Sequence, residues 1–350
     1  MKNKILIVYL LLIATQNSFG QSGGLSAFSF LNFNTSARAA ALGGSAIATP
    51  SEDVSLMVYN PAQLFATIDK QFSVSYVGYA SDISYSDFAY AQKVQHVGML
   101  GAYVHNANYG SFNQTDAAAN KIGAFNAAEN AIGVVWSKQL DSALNLGVSV
   151  KGVFSNLGLG NTSNALAADI GLNYYLAKKN FSAALVVRNF GAQLKKYESN
   201  TTERLPLQIQ LGIAKKLTNA PFRFSLIGQQ MQKFDLSYLN PNQNGIDPLT
   251  GEEKVQTITT GNKVMRHVIM NVEVLFSKNF NLRLGYNFLR RNELTLTERK
   301  GLSGFSMGLG LKVSALQIAF AKTLYLPYEG SNHITISGNL SDFKKKKKSN

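Results

Sequence analysis

The chain has 350 residues, no cysteine and a formal charge of +14 at neutral pH, yet only 15% of its residues are charged. The lack of cysteine excludes disulfides, cysteine-based metal or redox sites and a cysteine-linked lipid anchor. An average soluble domain carries about 25% charged residues, so the sequence is short of the charge that a water-facing surface uses.

Residues 1–20 read as an export signal. Lys2 and Lys4 give a positive start, Ile5 to Ala14 an apolar core, and Ser18-Phe19-Gly20 a small-residue cleavage site before Gln21. A membrane anchor would need about 20 apolar residues, and no later stretch supplies them either. Removing the two signal lysines and the five of Lys344 to Lys348 leaves +7 for the body of the chain. The basic residues fall in no nucleic-acid module, so no nucleic-acid partner is expected.

The segment 21–69 lacks the two-residue period of the rest of the chain. Thr35 to Leu42 has high helix propensity, with Ser or Thr available as the N-cap and Gly43-Gly44 as the stop. A short helix tethered to a barrel is expected to sit in the lumen as a plug, the other possibility being a helix on the rim.

From 70 to 341 one unit repeats: an alternating segment, then a break. Leu144, Leu146, Val148 and Val150 interleave with Asn145, Gly147, Ser149 and Lys151. The same period recurs in Leu207 to Ala214 and Phe280 to Phe288. Period 2 marks strands. The fold class is therefore all-β, a transmembrane antiparallel β-barrel of about 14 strands with a short N-terminal helical plug. The expected strands are 70–79, 83–93, 96–107, 126–139, 143–156, 163–177, 180–191, 204–217, 221–236, 264–278, 279–293, 300–313, 315–326 and 331–341.

A Lys or Arg facing lipid at mid-bilayer costs about 2–4 kcal/mol, which assigns Lys151, Arg223 and Arg283 to the lumen. The connections alternate short and long, with long ones at 108–125, 192–203, 237–263 and 292–299. Such barrels keep short periplasmic turns and long external loops. Both termini are then periplasmic, including the basic tail 342–350, which reads as a solvated run, a lipid-headgroup contact or a cell-wall contact. Tyr and Phe total 36, and many sit at strand ends, as in an interfacial belt.

No chemistry stands out, and neither cofactor nor metal is expected. Among the four histidines, His105 is the best catalytic candidate, with Asp116 and Glu129 in the same hairpin, but the spacing follows no catalytic logic. His-Glu-x-x-His is absent, and Gly308-Leu309-Gly310 lies inside a strand rather than before a helix, where it offers a strip free of side chains. Hairpin geometry places Phe276 and Phe280 outward across a three-residue turn, and so sets Glu273 opposite Arg283 as a lumenal ion pair. The largest loop, with Pro241, Asn242, Asn244, Gly245, Pro248 and Gly251, is the candidate partner-binding surface.

Ala41-Leu42-Gly43-Gly44, then Asp53, then Asn60-Pro61-Ala62, resemble the N-terminal signature of the FadL-related outer-membrane barrels. Longer runs, Phe181 to Gly191 and Ala220 to Leu226, are similar to the PorQ-like branch found in type IX secretion. That resemblance implies a non-catalytic outer-membrane anchor in an attachment complex. Its partners would be a PorZ-like surface protein, the complex members PorU and PorV, outer-membrane lipid and lipopolysaccharide. The superfamily as a whole implies an alternative, a channel for hydrophobic compounds. The inward residues of the alternating segments are mostly polar or small, which disfavours a greasy conduit.

Overall fold

A computed structural model describes residues 26–49, 52–79, 81–197, 202–237, 245–246, 253–254, 258–294, 301–325 and 330–346. The expected signal 1–20 lies outside them. A short helix, α1 (Ala37–Ala41), precedes the strands. Fourteen antiparallel strands close into a barrel. They are β1 (Gln71–Gly78), β2 (Ser84–Val94), β3 (Gly98–Thr115), β4 (Lys121–Gln139), β5 (Leu144–Asn156), β6 (Thr162–Leu176), β7 (Phe181–Lys195), β8 (Gln208–Lys216) and β9 (Phe222–Gly228). A two-stranded ladder, β10 (Gly245–Ile246) with β11 (Glu253–Lys254), stands in the largest connection. The wall resumes with β12 (Val268–Val274), β13 (Phe280–Asn287), β14 (Phe305–Val313), β15 (Leu316–Leu324) and β16 (Gly330–Asn339). Closure is made by β1, which pairs with β2 on one side and with β16 on the other, from Gln71↔Asn339 to Gly78↔Asn332. Closing the sheet leaves no edge in lipid.

The alternation has the sign that lipid requires. Outward positions are apolar and bare: Val134 is 61% exposed, Ile170 54% and Leu284 52%. Their inward neighbours are polar and buried, among them Ser149, Lys151, Asp169, Glu273 and Arg283. A soluble sheet hides its apolar face; this one hides its polar face, and only a lipid solvent makes that arrangement stable. Rings gather at the short-turn end, where the Trp136 indole donates to the Val97 carbonyl at 3.0 Å and Phe276 stacks on Phe280 at 5.5 Å. No helix among the described residues is long and apolar enough to cross a membrane.

Several strand limits differ from the expected ones. The connection 108–125 shrinks to a turn at 116–120, capped by the Asp116 carboxylate, which accepts from the Ala118 and Asn120 amides. Most of the upper β3–β4 hairpin is exposed, so it carries no lipid-driven alternation for the sequence to display. The expected strand 264–278 begins only at Val268, after helix α2 (Thr260–Arg266). Thr259 caps α2 by accepting from the Asn262 amide at 3.4 Å. The expected strand 279–293 stops at Asn287, whose side chain accepts from the Arg290 amide at 3.1 Å and starts helix α3 (Phe288–Leu294). The wall ends at Asn339 rather than 341, and Leu340–Lys346 form helix α4.

Candidate functional site

The lumen is filled by the segment before the barrel. Helix α1 and the 3-10 turns Val54–Val58 and Pro61–Gln63 are buried inside the wall. The Ala37 amide donates to the Thr335 hydroxyl at 2.9 Å, while Asn271 and Asn287 donate to the carbonyls of Leu42 and Gly43 at 3.3 and 3.1 Å. Gly43 and Gly44 end the helix with φ of +81° and +96°, a region that favours glycine. The Asp53 carboxylate accepts from the Ser55 amide at 3.0 Å, and the Asn60 side chain accepts from the Ala62 amide at 2.9 Å. Each caps one 3-10 turn. The Asn60 amide also donates to the Ile47 carbonyl at 2.8 Å, tying two parts of the plug together.

The wall makes room for this backbone. A Cβ on Gly285 would lie 2.1 Å from the Gly43 nitrogen, and one on Gly147 would lie 2.2 Å from the Pro61 carbonyl carbon. A Cβ on Gly308 would lie 2.6 Å from the Ala41 methyl group. Side-chain-free wall is therefore needed where plug and wall backbones touch.

Three charge clusters bolt the plug to the wall. The Glu273 carboxylate, fully buried, sits between Arg283 (3.2 Å), Arg223 (2.7 Å) and Arg38 of α1 (2.9 Å). Strand register puts Glu273 opposite both Arg283 and Arg223. The lumenal pair expected from hairpin geometry thus has two further guanidinium partners, one of them on the plug. In the second cluster the Lys151 ammonium donates to Asp169 at 2.7 Å and to Asn189 at 2.6 Å. A bulge opposite Asp169 turns two consecutive residues, Arg188 and Asn189, inward. Arg188 donates to the Leu31 carbonyl at 2.9 Å and lies 5.3 Å above the Tyr59 ring. Asn189 donates to the Asn32 side chain at 2.9 Å.

The third cluster contains His105. Its Nδ1 bonds to Asp87, its Nε2 lies 3.1 Å from the Phe30 carbonyl, and its ring stacks on Phe30 at 5.3 Å. The Thr35 hydroxyl also donates to Asp87. The partner of His105 is therefore Asp87 on β2, not Asp116 or Glu129; one imidazole nitrogen is held by the wall and the other faces the plug at the Phe30 carbonyl, so the ring joins the two. Among the described residues no group of His, Asp and Glu is arranged to hold a metal.

Sequence reasoning found the wall side of the first cluster and missed Arg38, Asp87 and Asp169. A usable signal existed for the last two: each is a lone acid at an inward position of an alternating strand. Arg38 gave no such signal, because a helix five residues long has no period to read.

Of the candidate loop residues, only Gly245 is described; it pairs with Lys254. Pro241, Asn242, Asn244, Pro248 and Gly251 lie outside the described residues. At the long-connection end a cavity of about 550 Å³ opens above the plug beside Tyr109 and Tyr197, and a second of about 220 Å³ lies beside Arg290. Burial pushes the Tyr197 phenol up to about 12, so the ring keeps its proton.

The fold is similar to barrels among solved structures. The Ralstonia pickettii toluene transporter TbuX superposes with a TM-score of 0.51 at 11% identity, over 89% of this chain and 98% of TbuX. The chain shares the barrel fold of TbuX. The Pseudomonas putida toluene transporter TodX gives 0.49 at 14% identity, over 87% and 96% of the two chains. A Pseudomonas aeruginosa FadL homologue gives 0.44 at 11%, over 90% and 98%. No protein-family profile matches the chain, and no curated protein matches it in sequence.

Proposed function

We propose that the chain is a non-catalytic, integral outer-membrane barrel that anchors a surface partner at its long-connection end. The observation that carries this reading is the filled lumen. Most of the described residues in 28–49 and 53–64 occupy the interior and are held by the Glu273, Asp169 and Asp87 clusters, so the interior is spent on packing rather than passage. The working surface is then the outside of the barrel's long-connection end, which we place at the cell surface with both termini in the periplasm. The PorQ-like runs supply the partner: a PorZ-like surface protein, in a complex with PorU and PorV that joins cargo to lipopolysaccharide. The test is retention. Deleting 240–260 should release a PorZ-like protein from purified outer membranes while the barrel remains folded. Retention unchanged by the deletion would refute that loop as the docking element.

The fold shared with TbuX favours a second reading, passage of hydrophobic compounds, more than it favours anchoring. One feature of the wall fits it. Strand β8 pairs with β7 only over Phe181–Arg188, whereas β7 continues to Lys195 on its other side. The residues before β8 turn inward instead, where Leu205 and Pro206 are buried and the Pro206 carbonyl accepts from Asn189 at 3.0 Å. Phe190 and Leu194, each 70% exposed, stand beside this parting of the wall. Uptake of toluene by cells or vesicles carrying the barrel, lost on tethering β7 to the 204–207 segment, would establish the channel over the anchor.

A further inference from the structure

We propose that the 550 Å³ cavity at the long-connection end binds an organic cation, an ammonium or guanidinium group carried on an apolar stem. The volume is that of a ligand pocket, which typically spans about 300–1,000 Å³. Its chemistry is one-sided. Two carboxylates, Glu129 and Glu203, line it, and no Lys, Arg or His is found among the described residues that do.

Glu129 is the more telling of the two, because it is only 5% exposed. A buried carboxylate normally has a cationic partner. Here it accepts from neutral donors: the Tyr109 phenol at 2.5 Å and the Tyr197 phenol at 3.4 Å. The nearby imidazole of His105 is already paired with Asp87. Among the described residues the carboxylate is therefore oriented by two phenols and the Ser155 hydroxyl and has no cation of its own.

The walls supply the rest. Tyr109, Tyr197 and Phe28 present rings to the cavity, with Phe28 and Tyr197 6.1 Å apart and tilted by 34°. Aromatic faces beside a carboxylate form the environment that attracts ammonium and guanidinium groups. Phe28 holds its place with a φ of +58°, a conformation rare for a bulky residue, fixed by the amide of Ala27 donating to the Arg204 carbonyl at 3.0 Å. Leu157 and Ala27 complete an apolar side for the stem. The cation site stands apart from the anchor and channel readings, since a barrel of either kind can carry it.

The test is calorimetric titration of the full-length folded barrel in nonionic detergent. One arm uses choline against its neutral isostere 3,3-dimethylbutan-1-ol. The other uses the capped peptide Gly-Lys-Gly against the same peptide acetylated on the lysine. The expected result is that at least one cation binds, that its neutral counterpart binds more weakly, and that Glu129→Gln weakens the cation by about tenfold or more. Choline binding assigns the site to free small cations; binding of the peptide alone assigns it to a basic side chain of a docked protein. The proposal is overturned if neither cation binds, if the neutral counterpart binds as well, or if Glu129→Gln keeps full affinity. Should Glu129→Gln fail to fold on heat-modifiability gels, Leu157→Trp tests the same point. Leu157 is 37% exposed at the rim, so the larger ring fills the cavity from its solvent side and should abolish binding in a folded barrel.

Discussion

The clamp between plug and wall can be tested by taking it apart from both ends. Among the described residues Arg38 is the only plug residue on Glu273, and its Nη2 reaches both carboxylate oxygens, at 2.9 and 3.1 Å. At an effective dielectric of about 20, unit charges near 3 Å attract by roughly 5–6 kcal/mol. Desolvation offsets much of that, leaving roughly 1.5–3 kcal/mol for a charge-assisted hydrogen bond. Arg38→Met removes that contact and leaves Glu273 satisfied by Arg223 and Arg283. Glu273→Gln does the reverse, leaving three guanidiniums around a neutral amide, and breaking a buried pair in this way costs about 3–5 kcal/mol. The expected order of apparent melting temperature in detergent is wild type, then Arg38→Met lower by on the order of 5 °C, then Glu273→Gln lower still. Because the clamp ties the plug to the wall, both variants should also show open-channel currents in planar bilayers, where the wild type stays closed. An Arg38→Met barrel that melts with the wild type and stays closed would refute the clamp. A Glu273→Gln variant milder than Arg38→Met would refute Glu273 as its hub.

Three further outcomes are expected from the same geometry. Gly285→Ala drives a Cβ into the Gly43 backbone at 2.1 Å and should cost about 1–3 kcal/mol or more by overpacking, whereas Gly78→Ala, with nothing within 4 Å, should be neutral in the same melt. His105→Ala leaves the buried Asp87 without its imidazole and Phe30 without its stack, so the N-terminal segment should become protease-sensitive while the barrel persists; an unchanged digestion pattern would sink this. The Asp235 carboxyl is held well below the ordinary carboxylate range by the Lys263 ammonium at 2.6 Å and by Ser237. A depressed pKa gives stability that is present above the unfolded value of about 4 and lost as pH falls through the folded one. Amide exchange in α2, which carries Lys263, should therefore be flat from pH 7 to about 4 after correction for intrinsic rates, and accelerate only below that. Acceleration already near neutrality would exclude this pair as the tether.

How much was legible in the sequence depends on what each residue touches. Wherever one face of a strand meets lipid and the other meets the plug, solvent alternates with every residue, and the sequence must alternate with it; β5, β6 and β16 were visible for that reason. The same logic put Glu273 and Arg283 on one face, because register across a three-residue turn is counted from local residues. Above the lipid the rule lapses. The tops of β3 and β4 are largely exposed, and the residues after Asn287 have no lipid to face, so strand and helix were not distinguished there. The plug's helix and its Gly-Gly stop could be read from propensity, but its partners could not. Arg38 meets Glu273 across 235 residues of sequence, and Asn60 sits against Gly171 of β6. The sequence by itself determined a barrel, its inside and its outside, because the membrane is a uniform solvent that acts on each strand separately. Only the tertiary structure decided that the inside is full, how one carboxylate comes to hold three arginines, and where a buried glutamate is left facing an aromatic cavity. Those facts belong to the closed barrel, in which residues far apart in sequence share one lumen.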